Sequence, residues 1–136
     1  MSPTEAARAW VEAWSEGWQN HEHDVIAHRY ADDCEFLSHP LRELRRGRQA
    51  VADYARHTFA EERSARFAFA EPIVDSDGCA AVEYRAVITA TDESISTLAG
   101  TTLLRFNSEG LVVEHRDYWA MTEGDLGLDP PWRTIT

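Results

Sequence analysis

The spacing of apolar positions changes once along this chain, from a helical repeat to an alternating one. Near the start Trp10, Trp14 and Trp18 fall four residues apart with Ala7 and Gly17 beside them, so one aromatic stripe runs down a helix. Ser2-Pro3-Thr4-Glu5 opens that helix, with serine as N-cap, proline at the first helical position and glutamate closing a capping box. The pattern predicts its end near Trp18. A short second helix follows, with Asp24 as N-cap and Ile26 and Tyr30 on its inner face. A strand is expected over residues 34–38, broken by His39-Pro40. After a loop that closes at Gly47, a third helix is predicted over residues 48–60, buried through Val51, Tyr54, Ala55, Thr58 and Phe59.

From Arg66 onward the period is two. Phe67 and Phe69 alternate with alanines, Asp75-Ser-Asp-Gly78 reads as a turn, and strands are expected over 80–91 and 94–106, with a bend at Gly100. On the first of these, Val82, Tyr84, Ala86 and Ile88 share the apolar face. Asn107-Ser-Glu-Gly110 closes a hairpin onto a last strand. There Val113, His115, Asp117 and Trp119 point one way, and Val112, Glu114, Arg116 and Tyr118 the other. Glu83, Arg85, Glu114 and Arg116 are placed to form a charged ladder on the outer face. The expected fold class is α+β: three N-terminal helices packed on one face of a curved, mainly antiparallel sheet. Residues 1–136 read as a single domain, with 121–136 a C-terminal tail rich in glycine and proline. The uncovered sheet face, with Leu103, Val112 and Tyr118, predicts a homodimer.

Charge narrows the function classes. Twenty-four acids against 13 bases give −11, which argues against nucleic acid and anionic membranes as partners. All the bases are arginine, so lysine Schiff-base chemistry and lysine phosphate loops are excluded. No apolar run of membrane-spanning length and no secretory leader is evident, and Cys34 and Cys79 read as reduced thiols of a cytoplasmic protein. The spacing of His21, His23 and His28 does not bring three imidazoles together, so no metal is expected. Arg42, Arg45, Arg46 and Arg48 crowd one loop, which is either a solvated surface or an anion-binding lip.

A histidine and a carboxylate two residues apart on one strand face, beside Trp119, are suited to a pocket wall. Phe106-x-x-x-Gly110-x-x-x-Glu114-His115-x-Asp117 resembles the last hairpin of the nuclear transport factor 2-like superfamily in its SnoaL-like, polyketide cyclase-like branch. The run HDVIAHRYADDCEF is similar to that pattern's second helix and first strand, and the resemblance covers about residues 5–120. It implies a cone-shaped cavity in which Asp117 matches the acid/base aspartate of the cyclases and His115 the histidine before it. The motif's tryptophan is Arg116 here. A carboxylate in an apolar cavity is suited to general-base work on a carbon acid. A ketosteroid isomerase-like site would also need a phenol, which Tyr30 or Tyr54 offers, and a second inward acid, which is not evident.

Periodicity and resemblance together predict a wall of Trp14, Tyr30, Phe36, Tyr54, Phe59, His115, Asp117 and Trp119, with His39 at the rim and Asp117 bonded to His115, Tyr30 or Tyr54. The expected function is cofactor-independent acid/base catalysis, of cyclase or isomerase type, on a small lipophilic carbonyl compound. The alternative is a non-catalytic ligand-binding or dimeric interaction domain.

Overall fold

A computed structural model describes residues 1–130. Helix α1 (Pro3–Gln19) begins with the expected capping box, Ser2 and Glu5 each accepting the other's backbone N–H. Helix α2 (His23–Ala27) follows; its N-cap is Glu22, and Asp24 lies inside its first turn. Tyr30 is not on that helix. It opens strand β1 (Tyr30–Leu37), after which come β2 (Arg45–Arg46), α3 (Arg48–Glu61), β3 (Glu62–Phe69) and β4 (Ile73–Val74). Three long strands, β5 (Cys79–Ala90), β6 (Ile95–Phe106) and β7 (Val112–Glu123), complete the fold.

The sheet order is β2-β1-β7-β6-β5-β3, with β4 on β5. All pairings are antiparallel except β1 with β7, which is parallel and sets Phe36 opposite His115. The early strand thus returns beside the last one. The helices supply the aromatic stripe, and Trp10, Trp14 and Trp18 join Phe69, Tyr84, Leu104 and Val112 in one core. Gly100 faces Trp119 across the β6–β7 ladder, where an added Cβ would lie 2.5 Å from the Tyr118 carbonyl oxygen. Only glycine admits that approach of two backbones.

Alternation predicts the facing of most side chains and fails where the pairing shifts register, within β1 between Tyr30 and Glu35 and at bulges on β7 and β3. Arg105 pairs with Glu114 but Phe106 pairs with Val112, so Val113 is an extra residue on β7. The parity flips there, and Val112, expected on the outer face, is fully buried in the core. On β3, Glu62 pairs with Ala90 and Ser64 with Thr89, so Arg63 is extra and Glu62 turns inward.

Two members of the expected charged ladder, Glu114 and Arg85, bond to partners outside it. Arg105 pairs with Glu114, whereas Arg85 donates to the carbonyls of Gly127 and Asp129. β7 runs on to Glu123, so the described tail starts at Gly124. It packs back on the domain through Thr97, whose hydroxyl donates to the Gly124 carbonyl and accepts from the Leu126 N–H, and through the Arg66–Asp125 ion pair. The rest of the expected tail, 131–136, lies outside the described residues. Both cysteines are free thiols, and among the described residues no helix is long and apolar enough to cross a membrane.

Candidate active site

Beneath α1, the Tyr30 hydroxyl joins two tryptophans to a histidine. Trp10 and Trp14 each donate their indole N–H to it at 3.0 Å, and it lies 2.8 Å from His115 Nδ1. A phenol has one proton and two lone pairs. Both lone pairs are engaged by the indoles, so the proton goes to Nδ1, and neutral His115 carries its own proton on Nε2. Burial pushes the Tyr30 pKa well above the usual phenol range, which keeps that proton in place. His115 Nε2 is buried without a hydrogen-bond partner among the described residues. It lies 3.9 Å from Asp117 Oδ2, beyond hydrogen-bond reach.

Asp117 is gripped from the other side. Tyr84 on β5 donates its hydroxyl to Oδ1 at 2.9 Å, and Thr102 on β6 does so at 3.3 Å. Register explains the set, since Thr102 stands opposite Asp117 on the neighbouring strand. These donors replace the expected partners: His115 is too far, and neither Tyr30 nor Tyr54 bonds to the aspartate. Burial, reinforced by the Asp117 charge, pushes Tyr84 and Tyr54 upward, so both phenols remain protonated. Oδ1 is therefore anchored, while Oδ2 accepts no hydrogen bond among the described residues.

Both groups face a cavity of about 420 Å³. Trp10, Trp14 and Trp18 form its helical wall, and Phe67, Phe69, Tyr84, Ile88 and Leu98 its apolar sheet wall, with Thr102, His115, Asp117 and Trp119 alongside. Its exposed lining residues, Arg42, Arg45, His57, Glu61 and Met121, mark the opening. Of the expected wall, Trp14, Tyr54, His115, Asp117 and Trp119 reach this surface, and four residues do not. Tyr30 lies behind His115, and Phe36 packs 4.4 Å from the His115 ring and 5.1 Å from Tyr54. Phe59 is covered by Trp18 and His21, and His39 meets the edge of Trp119. These four support the wall from one layer back.

Glu62 is the second inward acid that alternation concealed. It is 7% exposed, accepts the Trp18 indole N–H on Oε1 at 3.0 Å, and has no partner for Oε2. Burial raises its pKa to about 7. It lies behind Trp18 and outside the cavity lining. No group of three metal-binding side chains converges among the described residues.

A helix-backed antiparallel sheet around a cavity of this kind defines a nuclear transport factor 2-like protein. The sequence matches the SnoaL-like domain family over residues 11–115, and the chain belongs to that family. Solved structures share the fold at low identity. A Mycobacterium tuberculosis protein, RV0760c, is 21% identical with a TM-score of 0.76, covering 91% of this chain and 98% of its own. SalBIII, an epoxide hydrolase/cyclase-like enzyme in pyran ring formation in the polyether salinomycin, is 13% identical with a TM-score of 0.77, covering 88% and 96%. A protein of ketosteroid isomerase-like fold from Catenulispora acidiphila, in complex with trimethylamine, is 18% identical with a TM-score of 0.72, covering 82% and 85%. No curated protein matches the sequence.

Proposed function

We propose that the chain is a cofactor-independent acid/base catalyst, of isomerase or cyclase type, acting on a small lipophilic carbonyl compound. The observation that carries this reading is the pair of unpartnered groups on the cavity wall: Asp117 Oδ2, an acceptor, and His115 Nε2–H, a donor, 3.9 Å apart. A ketone seated between them presents its α-carbon to the carboxylate and its oxygen to the imidazole. Oδ2 takes the α-proton, the C–H electron pair becomes the enolate double bond, and the carbonyl pair moves onto oxygen. The Nε2–H then bonds to the developing oxyanion, as a preorganised donor that needs no reorientation. Return of the proton from Oδ2 to another carbon completes an isomerisation. Attack of the enolate carbon on a second carbonyl forms the ring bond and moves that carbonyl's electron pair onto its oxygen, and return of the Oδ2 proton to this alkoxide completes a cyclisation.

The roles divide by hydrogen bonding. Tyr84 and Thr102 hold Oδ1 and so aim Oδ2. Tyr30 holds Nδ1 and so fixes the proton on Nε2. The aromatic wall supplies the apolar surroundings and excludes water from the enolate.

The test is proton–deuterium exchange at the α-carbon of 2-tetralone, followed by NMR in heavy water. The wild-type protein should exceed the buffer rate, and Asp117→Asn should lose about 10²–10⁴-fold of that excess while keeping its melting temperature within a few degrees. Exchange at the wild-type rate in Asp117→Asn would sink the proposal. Binding of 2-tetralone by the wild type without exchange would identify a ligand-binding pocket instead.

A further inference from the structure

In a chain with 24 acids, most arginines have found a carboxylate or a carbonyl. Among the described residues seven are in ion pairs, and Arg29 and Arg85 donate to backbone carbonyls. Arg42 and Arg45, both at the cavity opening, have no ion pair among the described residues. The strand pairing separates them from their neighbours. Arg46 stands opposite Glu35 and pairs with it on the outer side, while Arg45 stands opposite Phe36 and turns toward the cavity. Arg48, at the start of α3, is engaged by Asp32 and the Tyr30 carbonyl.

The guanidinium groups of Arg42 and Arg45 lie over aromatic rings. Arg42 is 5.3 Å from the centroid of Trp119 and donates to the Ser38 hydroxyl at 3.3 Å, and Arg45 is 5.9 Å from the centroid of Tyr54. A guanidinium over a ring is attracted through its charge, and N–H donors not spent on protein acceptors are available to a planar anion. The cavity's own carboxylates, Asp117 and Glu61, form no ion pair with either arginine.

We infer that the natural ligand carries a carboxylate held at the opening by Arg42 and Arg45, with its apolar body against the tryptophan wall. This rests on the reading of the cavity as a small-molecule pocket and does not depend on proton transfer by Asp117. The ligand is an aromatic or alicyclic keto acid or its analogue. Its charged end stays at the wet rim, and its body lies within reach of Oδ2 and Nε2.

Calorimetric titration with 2-naphthoate and 2-naphthamide isolates the charge, because the ring body is the same. Wild-type protein should bind the carboxylate at least about tenfold more tightly than the amide. Raising salt from about 50 to about 500 mM should weaken only the carboxylate. In the Arg42→Gln/Arg45→Gln double variant, with an unchanged circular dichroism spectrum, the two affinities should converge to within about twofold through loss on the carboxylate side alone. The preference is read in binding and involves no proton transfer, so a failed exchange experiment leaves this result standing. Equal affinities in the wild type, or a preference that survives in the double variant, overturns the inference and leaves the catalytic reading intact. If neither probe binds at millimolar concentration, the inference and the pocket reading fall together.

Discussion

On the α1 side of the cavity, the Tyr30 hydroxyl accepts from two indoles and donates to an imidazole, so none of its capacity remains. On the β7 side, Asp117 Oδ2 and His115 Nε2 have no hydrogen-bond partner among the described residues, and two arginines at the rim lack a counter-charge. The same imidazole belongs to both sides, closed at Nδ1 and open at Nε2. A satisfied network rigidifies and sets the tautomer. A buried polar group left unmatched costs about 1–3 kcal/mol, and on the proposed function these groups find their match in a ligand. The contrast separates what builds the site from what works in it.

Removing the hub should break the closed side. Tyr30→Phe leaves Trp10, Trp14 and His115 Nδ1 without their partner in a buried space, and should destabilise the fold by about 3–5 kcal/mol in urea unfolding. A loss below about 1 kcal/mol would show that the network holds little of the structure together.

Glu62 sharpens the comparison within the same helix, because the third tryptophan of the stripe meets a carboxylate with an unmatched oxygen instead of a phenol. Its pKa rises from 4.5 to about 7 on folding through burial. Between those values the folded state holds a proton that the unfolded state has lost, so stability falls as pH rises and levels off above pH 7. Glu62→Gln should remove that slope and be more stable than wild type at pH 8 by about 2 kcal/mol. Parallel melting curves of the two proteins across this range would refute the assignment.

The smallest effect on stability comes from deleting the other phenol. Tyr84→Phe leaves Thr102 on Oδ1 and should change stability by less than about 1 kcal/mol, while slowing 2-tetralone exchange about tenfold as Oδ2 loses its aim. Two Tyr→Phe changes should therefore diverge, one read in urea and the other in exchange rate. If Tyr84→Phe also unfolds the protein, the open side is structural as well.

What was legible in the sequence is what is encoded locally or by an unbroken period. The capping box, the tryptophan stripe, the third helix and the inward facing of Val82, Tyr84, His115, Asp117 and Trp119 needed only spacing. Alternation carries no record of an inserted residue, so Val112, beyond one bulge, is placed on the wrong face, and Glu62, beyond another, falls in a stretch between the third helix and Arg66 to which no face is assigned. Parity also gives a face but no depth. Tyr30, Phe36 and Phe59 point inward as expected and are buried, yet the cavity wall passes in front of them. The donors on Asp117 were hidden for another reason: Tyr84 and Thr102 reach it through the registers of three strands, which no single stretch contains. The two-residue strands β2 and β4 are too short to show a period.

The extra residue at Val113 has a consequence for how chains of this kind are aligned. Loss of one residue inside a strand ordinarily turns every later side chain to the opposite face. In β7 a deletion of Val113 would instead join Val112 to Glu114 and close the ladder into regular alternation, with Val112 and His115 both still inward. A gap placed there is structurally silent. The distance in sequence from the hairpin glycine to the aspartate is therefore an elastic quantity, and equivalent carboxylates are better matched by counting back from the Gly100–Trp119 crossing than forward from Gly110.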